Sequence, residues 1–321
     1  MKLLITGGAG FIGSNFIRHW MQHHATDEIV NFDKLTYAGN LENLKDVEGD
    51  ARYSFIRGDI CNPSAVANAM RGCDVVVHFA AETHVDRSIV NPADFMMTNV
   101  IGTQVLLDAA SRYKVQCFHH IATDEVFGHL GPNDPPFHES SPYDPRSPYA
   151  ASKAAGAHLA WAYFTTYALP VTILYSSNNF GPYQYPEKAM SLFITNLLEG
   201  KKIPLYGTGQ NVRDWLYVED FCRGIAQVVE KGRPGGRYCF GGHNELSNIQ
   251  MARKILEIFG VGEDRIEYVA DRLGHDFRYS IATSKVEREL GWKPWHTFEE
   301  GLKSTIAWYK NNEAWWKKLK N

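Results

Sequence analysis

The sequence predicts an α/β fold, a doubly wound parallel sheet with a smaller α/β lobe interleaved with it. Three observations carry this. Short apolar runs alternate with helical patterns through the first half of the chain. Those runs show little apolar–polar alternation, as strands covered on both faces do. A glycine-rich turn joins the first strand to the first helix.

The elements follow in order. "KLLIT" (2–6) reads as a strand and precedes a helix at about 11–24. "EIVNFD" (28–33), "YSFIRGD" (53–59) and "DVVVHFA" (74–80) read as further strands. A helix at about 92–113 leads to the strand "CFHHIAT" (117–123). The stretch 129–148 is rich in Pro, Gly and Ser and reads as a loop, with the length and position of a lid. A helix at about 148–167 and the strand "VTILYSS" (171–177) close the regular pattern. Helices are expected near 188–199, 219–231, 248–259 and 298–311. The expected division is one domain of residues 1–175 plus about 210–240, and a lobe of about 176–209 and 241–321. The terminal "WWKKLK" (315–320) reads as a solvated helix end.

Composition narrows the function classes. Among 321 residues, 44% are hydrophobic and 21% charged, ordinary for a globular chain, and the net charge of −3 offers no basic field to nucleic acid. Apolar runs such as "VVVHFAA" (75–81) are too short to span a bilayer, and no leader is read before "KLLIT". Five scattered cysteines without a C-x-x-C pair read as reduced thiols of a cytoplasmic protein, with no metal site expected.

The turn "ITGGAGFIGSNF" (5–16) spaces Gly7, Gly10 and Gly13 as G-x-x-G-x-x-G. Such glycines permit a tight turn, a close approach of backbone to a pyrophosphate, and close helix–strand packing. The helix N-terminus adds free N–H groups and a positive dipole end. Asp33 closes the next strand, where an acid binds a ribose diol and repels a 2′-phosphate. The pattern is that of a Rossmann-type NAD site, with Lys34 beside Asp33 weakening the preference over NADP.

"SPYAASKAAGAHLA" (147–160) carries Tyr149 and Lys153 one helical turn apart. Among 16 tyrosines such a pair alone is a weak signal. Beside the glycine turn it gains meaning, because an ammonium near a phenol favours the phenolate as a base. "HIATDEVFG" (120–128) sets Thr123 beside two carboxylates, Asp124 and Glu125.

Together these motifs resemble the extended short-chain dehydrogenase/reductase superfamily. "DKLTYAGNLENL" (33–44), "HFAAETHVDRS" (78–88), "SSNNFGPYQYPEK" (176–188), "GQNVRDWLYVEDF" (209–221) and "VADRLGHDFRY" (269–279) are similar to the nucleoside-diphosphoglucose 4,6-dehydratases, nearest to those acting on dTDP-glucose. The resemblance runs to "LGWKPWHTFEEGLKSTIAWY" (290–309). Epimerases of the superfamily lack the Asp–Glu pair, and the decarboxylases and GDP-mannose dehydratases resemble Thr-Ser-Glu.

The resemblance implies oxidation of the sugar at C4 by NAD, loss of water across C5 and C6, and return of the hydride to C6. It assigns Tyr149 as the base at C4, supported by Lys153 and Thr123, with Asp124 as acid and Glu125 as base in the elimination. For the cofactor it implies, besides the glycines and Asp33, contacts from Phe11, Ile12, Lys34, Leu35, Thr36, Asp59 and Ile60. Phe79, Ala80, Ala81, Thr83, Thr98, Tyr149, Lys153 and Asn179 complete that set. For the nucleotide sugar it implies Thr83, Thr123, Asn178, Lys188, Pro204, Leu205, Tyr206, Arg213, Asn248, Asp271, Arg272 and His275. On the residues alone, an ion pair of Arg213 with Asp214 or Asp220 is an equal reading. The family pairs the helices 92–113 and 148–167 across a two-fold axis, and Gly102, Ala109, Ala110, Ala151 and Ala155 suit such a homodimeric four-helix bundle. Ala122, Phe127 and Leu273 depart from the usual serine, tyrosine and proline. An epimerase or decarboxylase, a dehydratase of UDP- or CDP-glucose, and a dinucleotide sensor without catalysis are the competing readings.

Overall fold

The computed structural model describes residues 1–320. In chain order the elements are β1 (Lys2–Thr6), α1 (Phe11–His23), β2 (Glu28–Asp33), β3 (Tyr53–Arg57), α2 (Pro63–Met70) and β4 (Val75–His78). Next come α3 (Val85–Val90), α4 (Pro92–Met96), a π-helical turn (Met97–Gly102), α5 (Thr103–Tyr113), β5 (Cys117–Thr123), α6 (Pro148–Tyr167) and β6 (Val171–Ser176). The remainder is β7 (Asn178–Phe180), α7 (Ala189–Leu198), β8 (Ile203–Tyr206), β9 (Val212–Tyr217), α8 (Val218–Lys231), β10 (Arg237–Phe240), β11 (Glu245–Ser247), α9 (Asn248–Phe259), β12 (Ile266–Val269), α10 (Ser284–Leu290), α11 (Phe298–Asn311) and α12 (Glu313–Leu319).

Seven strands form one parallel sheet in the order β10-β6-β5-β4-β1-β2-β3. The chain runs outward from β1 to β3 and then crosses back to β4 on the other side. That reversal opens a crevice beyond the C-terminal ends of β1 and β4. The central strands β1, β4, β5 and β6 are buried almost throughout because both faces are covered, whereas the edge strand β3 is largely exposed. Leu4, Val76, Phe118 and Tyr175 belong to one layer of core, and Leu3, Ile5, Val75 and Leu174 to the other.

The smaller lobe has a three-stranded sheet (β11-β9-β7), a two-stranded one (β12-β8), and its own core around Phe180, Phe193, Trp215, Ile255 and Tyr309. The stretch 210–240 is shared: β9 pairs within the small sheet, whereas β10 joins the edge of the large one. Late in the chain, Val286 and Trp292 pack into a core layer of the large sheet. Capping boxes start α9 (Ser247 with Gln250) and α11 (Thr297 with Glu300).

Four expectations change. The helix expected at 92–113 is interrupted by the π-helical turn, which turns Asn99 inward to bond the backbone of Glu82 and the Ser152 hydroxyl. The stretch 129–148 is no free lid: Leu130 and Phe137 make β-bridges to Arg278 and Ile281, and Arg278 donates to the Asp134 carbonyl at 2.8 Å. "WWKKLK" is not simply solvated, because Trp315 and Trp316 are 8% and 0% exposed in the small-lobe core. Gly102, Ala109 and Ala110 are spent inside the chain; a Cβ on Gly102 would meet Ile60 at 2.6 Å, and both alanines are core. Met96, Met97 and Ile101 are the large apolar side chains this stretch leaves outside, 40%, 51% and 43% exposed.

No helix among the described residues is long and apolar enough to cross a membrane.

Candidate active site

One continuous cleft follows the crevice from the glycine turn to the tips of β5 and β6 and on to the loop before α7. Gly7 has a positive φ of 71°, and a Cβ there would strike the backbone of Ala80 at 2.6 Å. A Cβ on Gly13 would lie 2.8 Å from Gly8 Cα, so only glycine lets α1 close on the turn. Asp33 sits at the tip of β2, 8% exposed. Its Oδ2 accepts from Ala9 N at 3.0 Å and its Oδ1 from Leu35 N at 2.8 Å. Burial pushes this carboxyl up, and the two backbone donors oppose that shift. The cradle and the buried acid fit a dinucleotide with an unmodified ribose diol.

Lys34 Nζ lies 2.7 Å from Asp59 Oδ2. Its charge is therefore engaged beside the ribose position, which restores the preference that Asp33 sets. Phe11, Ile12, Thr36, Asp59, Ile60, Phe79, Ala80, Ala81, Thr83, Thr98 and Asn179 all line the same cleft. Leu35, in a left-handed conformation (φ 57°), contributes its backbone N–H to Asp33.

Thr123 ends β5 and caps the short turn that follows, its Oγ1 accepting from Glu125 N at 3.3 Å and donating to Asp124 Oδ1 at 3.3 Å. Asp124 is 2% exposed, and its Oδ2 has no partner. Burial, then the charges of Glu125 and Asp214, hold its carboxyl well above the usual range. Glu125 is half-buried. Burial raises its carboxyl too, but Arg272, Arg213 and Lys188 oppose the rise. Adjacent carboxyls thus sit in unlike surroundings, one poised to hold a proton and one to lose it.

Tyr149 and Lys153 line the cleft from α6. Burial and the charges of Glu125 and Asp124 push the Tyr149 phenol up, against hydrogen bonds from Thr83 and Thr123. Lys153 Nζ donates to the Ile121 carbonyl at 2.6 Å, and burial lowers its pKa to about 8.

Of the remaining residues, Thr83, Asn178 and Lys188 line the cleft, and Lys188 Nζ donates to the Thr83 carbonyl at 2.7 Å. The others cluster in the small lobe. Arg213 makes no ion pair with Asp214 or Asp220. Its guanidinium donates to the carbonyls of Val212 (2.7 Å) and Asp276 (3.0 Å) and stacks over Tyr279 at 4.3 Å. His275 Nδ1 is 2.6 Å from Asp271 Oδ1, and its ring meets Tyr206 edge-on at 6.1 Å. Along β8 the side chains alternate, so Pro204 and Tyr206 are accessible while Leu205 is buried in the core. Asn248 opens α9, its N–H held by the Asn211 carbonyl.

Sequence reasoning did not single out Tyr37, Glu82 or Glu187, which line the cleft, and named Asp214 only as an ion-pair partner for Arg213, not as a neighbour of Asp124. Arg87 stacks over Tyr37 at 3.6 Å and bonds Glu187 at 3.0 Å. Tyr37 and Glu187 lay within quoted motifs, but only the fold brings them together. Among the described residues no cluster of His, Cys, Asp and Glu could hold a metal.

A glycine turn at a sheet crevice, with a Tyr–Lys helix facing it, defines an extended short-chain dehydrogenase/reductase of the nucleotide-sugar-modifying kind. A family model described as GDP-mannose 4,6 dehydratase matches residues 4–305. The dTDP-glucose 4,6-dehydratase of Escherichia coli is 47% identical, covering 99% of this chain and 96% of that one. The crystal structure of DesIV, a dTDP-glucose 4,6-dehydratase from Streptomyces venezuelae with NAD and dTDP bound, superposes with a TM-score of 0.97 at 48% identity over 99% of this chain and 100% of that one. That of the Bacillus anthracis enzyme in complex with NAD gives 0.93 at 46% identity, covering 99% of each chain. The chain belongs to the dTDP-glucose 4,6-dehydratase family.

Proposed function

We propose that this protein converts dTDP-glucose to dTDP-4-keto-6-deoxy-glucose in an NAD-dependent dehydration. The observation that carries the reading is the Thr123–Asp124–Glu125 turn: a buried acid with a free oxygen, beside a carboxylate ringed by cations, in one cleft with Tyr149 and the glycine turn. An epimerase has no use for that acid, and a sensor needs none of the groups.

When bound, NAD supplies reversible oxidation at C4 and reduction at C6. Gly7, Gly10 and Gly13 would take its pyrophosphate and Asp33 its ribose. Tyr149 removes the C4-hydroxyl proton, with Thr83 and Thr123 beside its oxygen. Lys153, mostly protonated at pH 7, supplies the positive charge that a phenolate needs. Once C4 is a ketone the C5 proton is acidic. Glu125 removes it while Asp124 protonates the departing C6 hydroxyl, and a proton is returned to C5 as C6 is reduced. Arg213, Arg272 and Lys188 match the charge of a diphosphate, and Tyr206 offers its ring face to a pyrimidine.

The protein is read as a homodimer joined through the 92–113 and 148–167 helices, on the strength of exposed Met96, Met97 and Ile101. A monomer in light scattering at micromolar concentration overturns that reading. Five free cysteines suit a reducing cytoplasm. Incubation with dTDP-, UDP- and CDP-glucose tests the substrate: the 4-keto-6-deoxy product is expected from the first. A product that keeps its C6 oxygen refutes the dehydratase.

A further inference from the structure

The helix α12, which the sequence suggested was solvated, reaches the glycine turn through a buried chain of hydrogen bonds. Trp315 Nε1 donates to Asn43 Oδ1 at 2.8 Å. Asn43 Nδ2 donates to the Ala9 carbonyl at 2.8 Å, which also accepts from Asn40 N at 3.0 Å. Ala9 N in turn donates to Asp33 Oδ2 at 3.0 Å. Trp315, Asn43, Ala9 and Asp33 are 8%, 1%, 0% and 8% exposed, so water does not compete for these bonds. The order is fixed by chemistry: an indole N–H can only donate and a carbonyl can only accept, so the Asn43 amide can face one way alone. Trp315 is held in turn by small-lobe aromatics, Tyr183 at 5.9 Å and Trp308 at 4.9 Å, both edge-on.

We propose that Trp315 and Asn43 are positioning residues that lock the glycine turn and Asp33 in the shape that retains the dinucleotide, so that the small lobe sets how long it stays bound. The proposal rests on the dinucleotide reading given above. It suits a reaction in which the cofactor ends each cycle as it began. The ion pair of Lys318 with Glu42, at 2.8 Å on the exposed side of the same contact, adds little in water.

The test is the rate at which labelled NAD leaves the loaded protein under a chase of unlabelled NAD. Trp315→Phe removes the indole N–H and keeps a ring against Tyr183 and Trp308. Asn43→Asp keeps an acceptor for Trp315 but offers no donor to Ala9. Lys317→Ala, on the exposed side of α12, is the control. Release should quicken roughly 3- to 10-fold in Trp315→Phe, the loss of about one net hydrogen bond, and more in Asn43→Asp, with the control at the wild-type rate. Hydrogen exchange over residues 34–44 should quicken in step. Wild-type release and exchange from folded Trp315→Phe overturn the proposal, as does a lowered melting temperature with release unchanged. Should Asn43→Asp not fold, Trp315→Phe decides alone. A wild-type protein that binds no NAD removes the dinucleotide reading and this proposal together; one that retains it confines any failure to the relay.

Discussion

The two reactive pairs of the cleft invert what their spacing suggests. Tyr149 and Lys153 lie one turn apart on α6, yet the lysine spends a hydrogen bond on the Ile121 carbonyl and the phenol is left pushed up by burial. Asp124 and Glu125 are neighbours in the chain, yet the fold separates their surroundings: Asp124 faces more carboxylate charge, Glu125 three cations. Adjacency in sequence guarantees neither coupling nor likeness. The electrostatic surroundings decide which group gives a proton and which takes one.

The largest test of this contrast is Tyr149→Phe. Removing the base should lower kcat on the order of 10²–10⁴-fold and leave no reduced dinucleotide in a single turnover. Asp124→Asn and Glu125→Gln should slow elimination on the order of 10²-fold, a general acid or base contribution at its lower end. Because Tyr149, Lys153 and the glycine turn are untouched, bound reduced dinucleotide should build up and decay slowly in absorbance. If both variants lose water at the wild-type rate, the pair is not the acid and base.

Lys153 supplies a smaller, pH-dependent effect. Its folded pKa, about 8, lies below the unfolded value of 10.5. Between those values the folded protein binds fewer protons than the unfolded chain, so stability rises with pH. Between pH 8 and pH 10 the rise assignable to this group is on the order of 2 kcal/mol. Unfolding free energies from urea titrations should rise more steeply by that amount between pH 8 and pH 10 in the wild type than in Lys153→Met; parallel pH dependences would falsify it. The smallest effect belongs to Lys34→Ala. Its ammonium is already held by Asp59 at a solvated position, so NAD affinity should change by less than about threefold, the worth of a surface ion pair. A larger loss in titration would give Lys34 a direct contact.

The large sheet was legible because its signals are local. Apolar runs, the glycine turn and Asp33 each lie within one strand–turn–helix unit. The small lobe was less so, because β9, β11 and β7 come from three distant segments and the short strands carry no period of their own. Thr123, Asp124 and Glu125 could be picked out as a cluster, but Asp214, which raises Asp124, could not: it belongs to another sheet. The two tryptophans of α12 looked like part of a solvated basic end because the lysines after them dominate the composition. Trp315 was buried by Tyr183 and Asn43, which no local pattern joins to it, together with Trp308, and Trp316 bonds the Tyr309 carbonyl.

Asn43 and Trp315 stand 272 residues apart. A ribosome adding roughly 5–20 residues per second leaves that interval at about 14 to 54 s. For that time the glycine turn, made almost first, waits on the exit side without the partner that finishes it. The nascent chain can pair β1 with β2 early, but it completes its nucleotide cradle only as α12 emerges.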